Sequence, residues 1–170
     1  MGGAGSGKSR FAVETAERGS RAVSFVATCD PTDGEMGDKI RRHKKERPSH
    51  WSVIEAASTP FEAKWPNGKA DCILVDSLTL WVSTLAMKDA GRDEIISKCA
   101  AFLTQARKKF KRTIVVSDEV GLGVVPENGL ARSFRETLGK VNQQAAKLAD
   151  EAYLVAAGLP IALKGKRRKT

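Results

Sequence analysis

The sequence lacks any long apolar run. No stretch approaches the roughly 20 apolar residues of a membrane-spanning helix, and the amino terminus has no apolar segment of the signal-peptide kind. Neither a membrane span nor secretion is therefore predicted, and the expected location is the cytoplasm.

Cysteine is also scarce. The three cysteines, Cys29, Cys72 and Cys99, are odd in number, far apart and never arranged as C-x-x-C. Spacing of this kind provides neither a disulfide framework nor a zinc site. We expect reduced, mostly buried thiols and no metal held by sulfur.

Aromatic residues make up only 6% of the 170 residues, whereas hydrophobic residues make up 41% and charged residues 29%. This composition is typical of a soluble globular protein, and the length fits one domain. We predict that domain over residues 1–164, followed by a disordered basic tail over 165–170. The net charge is +9, but much of it falls on that tail and on Lys164. Nucleic acid is therefore not an expected partner.

The most informative stretch is a glycine-rich segment at residues 2–9, Gly-Gly-Ala-Gly-Ser-Gly-Lys-Ser. It fits the phosphate-loop pattern G-x-x-x-x-G-K-[ST] without a mismatch. Glycines let consecutive N–H groups face one concavity and cradle phosphate oxygens. Lys8 would reach the β- and γ-phosphates, and Ser9 would offer its hydroxyl to Mg²⁺. The alternative is a flexible Gly-Ser terminus, which the helical pattern over residues 10–17 disfavours.

A phosphate loop normally follows a buried parallel strand, yet this sequence has only Met1 before Gly2. We therefore expect either a start further upstream or a trimmed form of the protein.

The rest of the chain alternates strands with helices. Strands are predicted at 22–27, 72–76 and 113–117, and helices at 8–18, 78–88, 92–109 and 130–148. A hairpin is predicted between strands 152–156 and 161–164, turning at Gly158-Leu159-Pro160. The alternation predicts an α/β fold with a mostly parallel sheet flanked by helices. Asp76 ends the 72–76 strand, where a carboxylate commonly holds Mg²⁺ directly or through water.

A second helix is predicted to open at Asp33 and to end before Pro48. It carries His43 among six cations at positions 39, 41, 42, 44, 45 and 47. Neighbouring cations favour a neutral imidazole, which is a competent nucleophile or base at pH 7. The alternative is a solvated basic helix face. His50 and Trp51 are expected to serve packing rather than catalysis.

These motifs resemble the bifunctional adenosylcobinamide kinase / adenosylcobinamide-phosphate guanylyltransferase family of cobalamin biosynthesis. The resemblance extends from residue 2 to residue 164. Besides the glycine-rich segment, it rests on Val-Ala-Thr at 26–28, Asp-Gly-Glu-Met at 33–36, Ile-Arg-Arg-His at 40–43 and Val-Asp-Ser-Leu-Thr-Leu-Trp at 75–81. Its strongest mark is Glu-Val-Gly-Leu-Gly-Val-Val-Pro-Glu-Asn at 119–128.

The resemblance implies a RecA-like P-loop fold, Mg²⁺, and ATP and GTP as substrates. It implies phosphorylation of adenosylcobinamide, followed by transfer of GMP from GTP through a GMP–histidine intermediate with release of pyrophosphate. It also implies a homotrimer with sites between subunits. The catalytic residues that it implies are His43 and Lys8, and the metal-binding residues are Ser9 and Asp76. The nucleotide contacts that it implies are Gly2, Gly3, Ala4, Gly5, Ser6, Gly7, Lys8, Ser9, Val26, Ala27, Thr28, Lys44, Lys45, Glu46, Arg47, Glu55 and Asp76.

The sequence departs from the family pattern at two further positions. Gly5 stands where the family usually has Arg, and Asp118 where it usually has Asn, which puts the polar contact at 118 in doubt. Two other functions remain open. A generic small-molecule P-loop kinase would transfer a γ-phosphoryl group without a covalent nucleotide, and a RecA-like ATPase would bind nucleic acid in a salt-dependent way.

Overall fold

The fold was examined in a computed structural model, which describes residues 1–28, 47–56 and 70–165. The helix predicted from Asp33, with His43 and residues 44–46, lies outside the described residues, as do Cys29 and the tail beyond residue 165. Among the helices of the described ranges, none has the length and apolarity needed to cross a membrane.

The described chain contains four helices and six strands. In chain order they are α1 (Lys8–Gly19), β1 (Val23–Ala27), β2 (Ser52–Glu55), β3 (Cys72–Asp76), α2 (Leu78–Met87), α3 (Arg92–Lys109), β4 (Arg112–Val116), α4 (Gly129–Leu148), β5 (Ala152–Ala156) and β6 (Leu159–Lys164). Strands β2, β1, β3 and β4 form a parallel sheet in that order, and β5 and β6 form an antiparallel pair. The predicted α/β class is confirmed, whereas the RecA-like assignment stays a prediction.

Strand β2 was not expected from the sequence. It is an edge strand of four residues, and its side chains are mostly exposed, with Val53 47% exposed. A short edge strand with little buried surface has neither the apolar run nor the alternation that identifies strands in a sequence. The strand places Glu55 beside Ala27.

The hairpin was predicted to turn at residues 158–160, but the turn begins one residue earlier and is one residue shorter. Leu159 and Pro160 belong to β6, and the turn itself consists of Ala157 and Gly158, with φ angles of 50° and 79°. Positive φ at both central residues is the geometry of a two-residue type I′ turn, whose twist matches that of the strands it joins. Glycine accommodates this geometry without strain, and Ala157 adopts it less readily.

The sheet is packed on both faces. On one face, α2, α3 and α4 cover Ile73 and Val75, and on the other α1 and Trp51 cover Phe25 and Leu74. Strand β3 is therefore buried on both sides, which explains its uninterrupted apolar sequence. The burial of Trp51 confirms its predicted packing role. The same prediction is wrong for His50, whose side chain is exposed.

The thiols of Cys72 and Cys99 are free and buried, as the sequence predicts. Burial raises the pKa of Cys99 to about 12 and also raises the pKa of Cys72. Both residues therefore act as small apolar core residues rather than as reactive thiols.

Among the described residues, Trp81 has the largest fully buried side chain. Its ring packs edge-on against Phe102, with centroids 4.5 Å apart, and its indole N–H donates to the carbonyl of Ala56 at 3.4 Å. We expect Trp81→Ala to lower the free energy of unfolding by about 3–5 kcal/mol, the usual cost of such a truncation. Urea denaturation measures the loss. Met87→Ala, at an exposed position on the same helix, is the control and should change stability by less than about 0.5 kcal/mol. Equal effects from both variants would contradict this account of the core.

Candidate functional site

Polar side chains line the carboxyl edge of the parallel sheet. In the register of the strands, Glu55 lies beside Ala27, Ala27 beside Asp76, and Asp76 beside Val116. Because parallel strands end at the same edge, the last residues of β2, β1 and β3 form one row. Ligands bind outside this edge in open α/β sheets.

The glycine-rich segment reaches the same edge. Gly2 forms parallel bridges with Asp118, just past β4, and with Val155 of β5. The amide of Glu119 donates to the carbonyl of Gly2 at 3.0 Å, and the amide of Gly158 donates to the carbonyl of Ser6 at 2.9 Å. The segment is thus fixed to β4 on one side and to the β5–β6 hairpin on the other.

Two glycines take backbone conformations that favour glycine. The φ angles of Gly5 and Gly7 are 67° and 87°, in the left-handed region. Gly2 is required for a different reason, because a Cβ atom there would lie 2.4 Å from the carbonyl oxygen of Val155. A Cβ atom at Gly7 would lie 3.2 Å from the Cα atom of Gly158. Glycine at positions 2 and 7 therefore permits the close approach of this segment to β5 and to the hairpin turn.

Helix α1 begins at Lys8, its N-cap residue Gly7 has no side chain that could cap the first turn, and that turn contains no acidic residue. The first N–H groups and the positive end of the helix dipole face the glycine-rich segment, which is the usual arrangement of an anion site. The buried hydroxyl of Ser6 has no hydrogen-bond partner within the described ranges. An unpaired buried polar group is uncommon in a folded protein.

Lys8 forms an ion pair with Asp118. Its ammonium also donates to the carbonyl of Gly3 at 3.2 Å, so the side chain lies over the glycine-rich segment. The side chains of Lys8 and Asp118 are only 13% and 24% exposed. In the sequence, Asp118 stood out only as a departure from the family pattern. The structure makes it the acidic partner of Lys8.

A partly buried polar network positions Asp118. The amide of Asp118 donates to Thr79 Oγ1 at 2.7 Å, and Asn142 donates to the carbonyl of Asp118 at 3.0 Å. The hydroxyl of Ser117 in turn donates to Asn142 Oδ1 at 2.6 Å. Helices α2 and α4 thus fix the chain just past β4. Sequence reasoning missed the roles of Thr79 and Asn142, since both depend on contacts between residues far apart in the chain.

Thr28 connects the ends of β1 and β3. Its hydroxyl donates to the carbonyl of Ser77 at 2.8 Å and accepts from the amide of Ser77 at 2.7 Å. The side chains of Val26 and Thr28 are buried. A nucleotide contact at residues 26–28 would therefore use backbone groups or the half-exposed Ala27.

Arg47 is the member of the predicted basic helix that the structure describes. Its guanidinium lies over the ring of Phe25, 4.3 Å from the centroid. Burial lowers the pKa of Arg47, and the charges of Asp76 and Glu55 oppose that shift. Its buried Nη1 has no hydrogen-bond partner in the part of the chain that the structure describes. The guanidinium is therefore close enough to interact electrostatically with Glu55 and Asp76. This proximity is what a common nucleotide site made of these three residues would need.

The donor set fits magnesium better than a softer metal. The described residues contain no group of three or more His, Cys, Asp or Glu side chains that could enclose a metal ion. Mg²⁺ does not need such a cage, because it keeps several waters and takes one or two protein oxygens together with substrate phosphates. Ser9 and Asp76 offer a hydroxyl and a carboxylate, on the first turn of α1 and at the end of β3 respectively.

The sequence profile of the family described as "Cobinamide kinase / cobinamide phosphate guanyltransferase" matches residues 1–163. The chain belongs to this family. Membership places it among enzymes with cobinamide kinase and cobinamide phosphate guanylyltransferase activity, and it confirms the resemblance found in the sequence.

Curated relatives support the same assignment over nearly the whole chain. The chain is 38% identical to the bifunctional adenosylcobalamin biosynthesis protein CobP of Pseudomonas aeruginosa, over 98% of this chain and 96% of the relative. It is 34% identical to the bifunctional adenosylcobalamin biosynthesis protein CobU of Salmonella typhimurium and to that of Escherichia coli, in each case over 96% of this chain and 97% of the relative. Family membership therefore rests on the full chain and not on the glycine-rich segment alone.

Proposed function

We propose that the protein catalyses two consecutive reactions of cobalamin biosynthesis. In the first, a nucleoside triphosphate phosphorylates the aminopropanol hydroxyl of adenosylcobinamide. In the second, GTP transfers GMP to the new phosphate, giving adenosylcobinamide-GDP and pyrophosphate. The observation that carries the proposal is the placement of the glycine-rich segment against the amino end of α1, in a chain that matches the family over residues 1–163.

The geometry supports the phosphoryl transfer through positioning and charge. The N–H groups of the glycine-rich segment and of α1 would bind the β- and γ-phosphates, and the ammonium of Lys8 would neutralise charge that develops on them. Ser9 and Asp76 would hold Mg²⁺, which would supply positive charge to stabilise the phosphates during the transfer. Arg47 adds a partly buried cation at this edge, and one of its donor nitrogens has no partner among the residues that the structure describes.

The guanylyl transfer requires a nucleophile that the phosphoryl transfer does not. We assign this role to His43, on the basis of its setting among cations in the sequence. A neutral ring nitrogen would attack the α-phosphorus of GTP, the bond to the β-phosphate oxygen would break, and pyrophosphate would leave. An oxygen of adenosylcobinamide phosphate would then attack the same phosphorus and release the imidazole. Residues 44–46 would contribute to binding the triphosphate.

The ion pair between Lys8 and Asp118 competes with nucleotide binding, since the ammonium cannot serve the carboxylate and the phosphates equally well. We expect Asp118→Asn to lower the KM for the nucleotide about two- to fivefold, which corresponds to about 0.4–1 kcal/mol of competing ion-pair energy. Steady-state kinetics with varied GTP measures the change. Asp150→Asn, which removes the exposed partner of Arg107, is the matched control and should leave KM unchanged. A raised KM in Asp118→Asn would show that the carboxylate assists binding.

The proposed function is tested by following label into the acceptor. Purified protein is incubated with adenosylcobinamide, Mg²⁺, and ATP or GTP labelled at either the α- or the γ-phosphate, and the products are separated by chromatography. Label from the γ-phosphate should appear in adenosylcobinamide phosphate, and label from the α-phosphate of GTP in adenosylcobinamide-GDP. Transfer of γ-label alone would favour the generic P-loop kinase, and transfer of neither would contradict the proposal.

Two further features follow from the family resemblance and stay predictions. One is a homotrimer whose sites lie between subunits, and the other is a cytoplasmic location. Sedimentation measurements on the purified chain would test the first.

A further inference from the structure

Three hydrogen bonds join Thr28 to the chain that leaves β3. The pairing of β1 with β3 ends at Ala27 and Asp76, and Thr28 follows directly after β1. The amide of Thr28 donates to the carbonyl of Asp76 at 3.3 Å, and its hydroxyl accepts from the amide of Ser77 at 2.7 Å. The same hydroxyl donates to the carbonyl of Ser77 at 2.8 Å. Thr28 therefore continues the contact between the two strands beyond their last pair.

Two of these bonds hold the peptide group between Asp76 and Ser77. The carbonyl of Asp76 and the amide of Ser77 belong to one planar unit, and Thr28 bonds both of its polar atoms. A plane that is held at two atoms cannot rotate freely about the Cα atom of Asp76. Thr28 thus restricts the backbone on the carboxyl side of Asp76, while pairing within the sheet restricts it on the other side.

The hydroxyl of Thr28 is shielded from water. Thr28 is 1% exposed and Ser77 is 4% exposed, so water has no ready access to the backbone groups that the hydroxyl bonds. Loss of the hydroxyl would leave a buried amide without its partner, which is costly. The chain after β3 would shift to recover a hydrogen bond, and Asp76 would shift with it.

The same turn begins helix α2. The side chain of Ser77 accepts from the amide of Leu80 at 3.5 Å as the N-cap of the helix, and its carbonyl accepts from the amide of Trp81 at 3.4 Å. Asp76 therefore lies between a buried strand and a helix anchored in the core by Trp81. A displacement at Ser77 has little room to be absorbed in the helix, so the residue that moves is Asp76.

We propose that the side chain of Thr28 is a positioning residue for the metal site, because its hydroxyl fixes the peptide group after Asp76 and so directs the Asp76 carboxylate toward Mg²⁺. The inference rests on the proposed function, in which Ser9 and Asp76 hold Mg²⁺. This ion requires near-ideal octahedral geometry at about 2.0–2.1 Å from each oxygen, so a small displacement of the carboxylate weakens binding. The role of the side chain is separate from a nucleotide contact at residues 26–28, which would use the backbone or Ala27.

The test compares Thr28→Ser with Thr28→Cys. Both variants lose the same methyl group and differ from each other in one atom, but only serine keeps a strong hydrogen-bonding group, since a thiol is a weak donor and acceptor. Isothermal titration calorimetry measures the Kd of α,β-methylene GTP, which cannot release GMP, once with Mg²⁺ and once with EDTA. The ratio of the two Kd values is the gain in nucleotide affinity that Mg²⁺ provides, and it is measured without turnover.

We expect Thr28→Cys to reduce this gain about tenfold, the usual cost of removing a group that orients a metal ligand, and Thr28→Ser to keep it within about a factor of two. Neither variant should change the Kd in EDTA. Thr137→Val removes another buried hydroxyl, which donates to the carbonyl of Ser133 at 2.7 Å within α4. This matched control should leave both Kd values unchanged. Equal gains in Thr28→Ser and Thr28→Cys, or an equal rise of Kd with and without Mg²⁺, would overturn the proposal.

A second comparison shows whether Thr28 acts through Asp76. In Asp76→Asn the gain from Mg²⁺ should already be largely lost, and adding Thr28→Cys should reduce it no further, because both changes remove the same contact. Losses that add in the double variant would show that Thr28 acts on another group, and would overturn the proposal.

The binding measurements separate the inference from the proposed function. Loss of the gain in Asp76→Asn without loss in Thr28→Cys would overturn the inference alone. A gain that persists in Asp76→Asn would overturn the metal assignment of Asp76 and the inference with it. Adenosylcobinamide is absent from these measurements, so the labelling experiments test the two reactions independently.

Discussion

Lys8→Ala should lower turnover in both the phosphoryl and the guanylyl transfer by about two orders of magnitude or more. That is the usual cost of removing one preorganised charge from a developing anion. The structure places Lys8 on the first turn of α1, beside the glycine-rich segment and largely shielded from solvent. Both reactions begin with a bound nucleoside triphosphate, so both should suffer. Steady-state assays with α- and γ-labelled GTP measure the two rates in one preparation.

Lys98→Ala is the matched control for this prediction. Lys98 also forms an ion pair from a helix, with Glu94, but it is 46% exposed and lies on α3. Its removal should leave both rates within about a factor of two, because surface ion pairs contribute little. Near-normal turnover of Lys8→Ala would show that the glycine-rich segment is not the catalytic phosphate site, even if the variant folds normally by circular dichroism.

His43→Ala should abolish guanylyl transfer and leave most of the phosphorylation of adenosylcobinamide. The two reactions separate because, in the proposed mechanism, the substrate hydroxyl attacks the γ-phosphate directly in the first, whereas an enzyme nucleophile carries GMP in the second. The quantity to measure is the rate of guanylyl transfer divided by the rate of phosphorylation. This ratio should fall by at least about a hundredfold relative to wild type.

His50→Ala is the control for the histidine prediction. His50 is exposed and next to the buried Trp51, so its removal should change neither rate. Equal loss of both activities in His43→Ala would contradict a role confined to the second reaction. Retention of guanylyl transfer in that variant would exclude His43 as the nucleophile.

Much of the fold could be predicted because the decisive signals are local. The apolar run at Cys72–Asp76 predicted β3, and the amphipathic pattern at Arg92–Lys109 predicted α3. In both cases the predicted ends agree with the observed ones to within one residue. Strand β2 could not be predicted from a local pattern, because its own sequence has no clear apolar run or alternation. Its pairing with β1 stabilises it instead. The hairpin turn was misplaced because proline suggested a turn, whereas the positive φ angles at Ala157 and Gly158 determine it.

The candidate site, like the fold, has features that local sequence predicts and features that depend on tertiary contacts. The glycine-rich segment and Asp76 were predictable because the carboxyl ends of parallel strands share one edge of the sheet. The ion pair of Lys8 with Asp118, and the support that Asn142 gives from α4, were not predictable. Both depend on residues brought together from distant parts of the chain. The roles of His43 and of residues 44–46 stay predictions, since these residues lie outside the described part of the structure.

The central claim is that GMP passes through a covalent bond to His43, and the most direct measurement is trapping of that intermediate. Protein is incubated with Mg²⁺ and GTP labelled at the α- or the γ-phosphate, denatured, separated by electrophoresis and digested for peptide mapping. We predict that only α-label remains on the protein, that the bond is labile in acid and stable in base, and that the label maps to the peptide containing His43. The absence of bound α-label while γ-phosphoryl transfer proceeds, or α-label that persists in His43→Ala, would contradict the account.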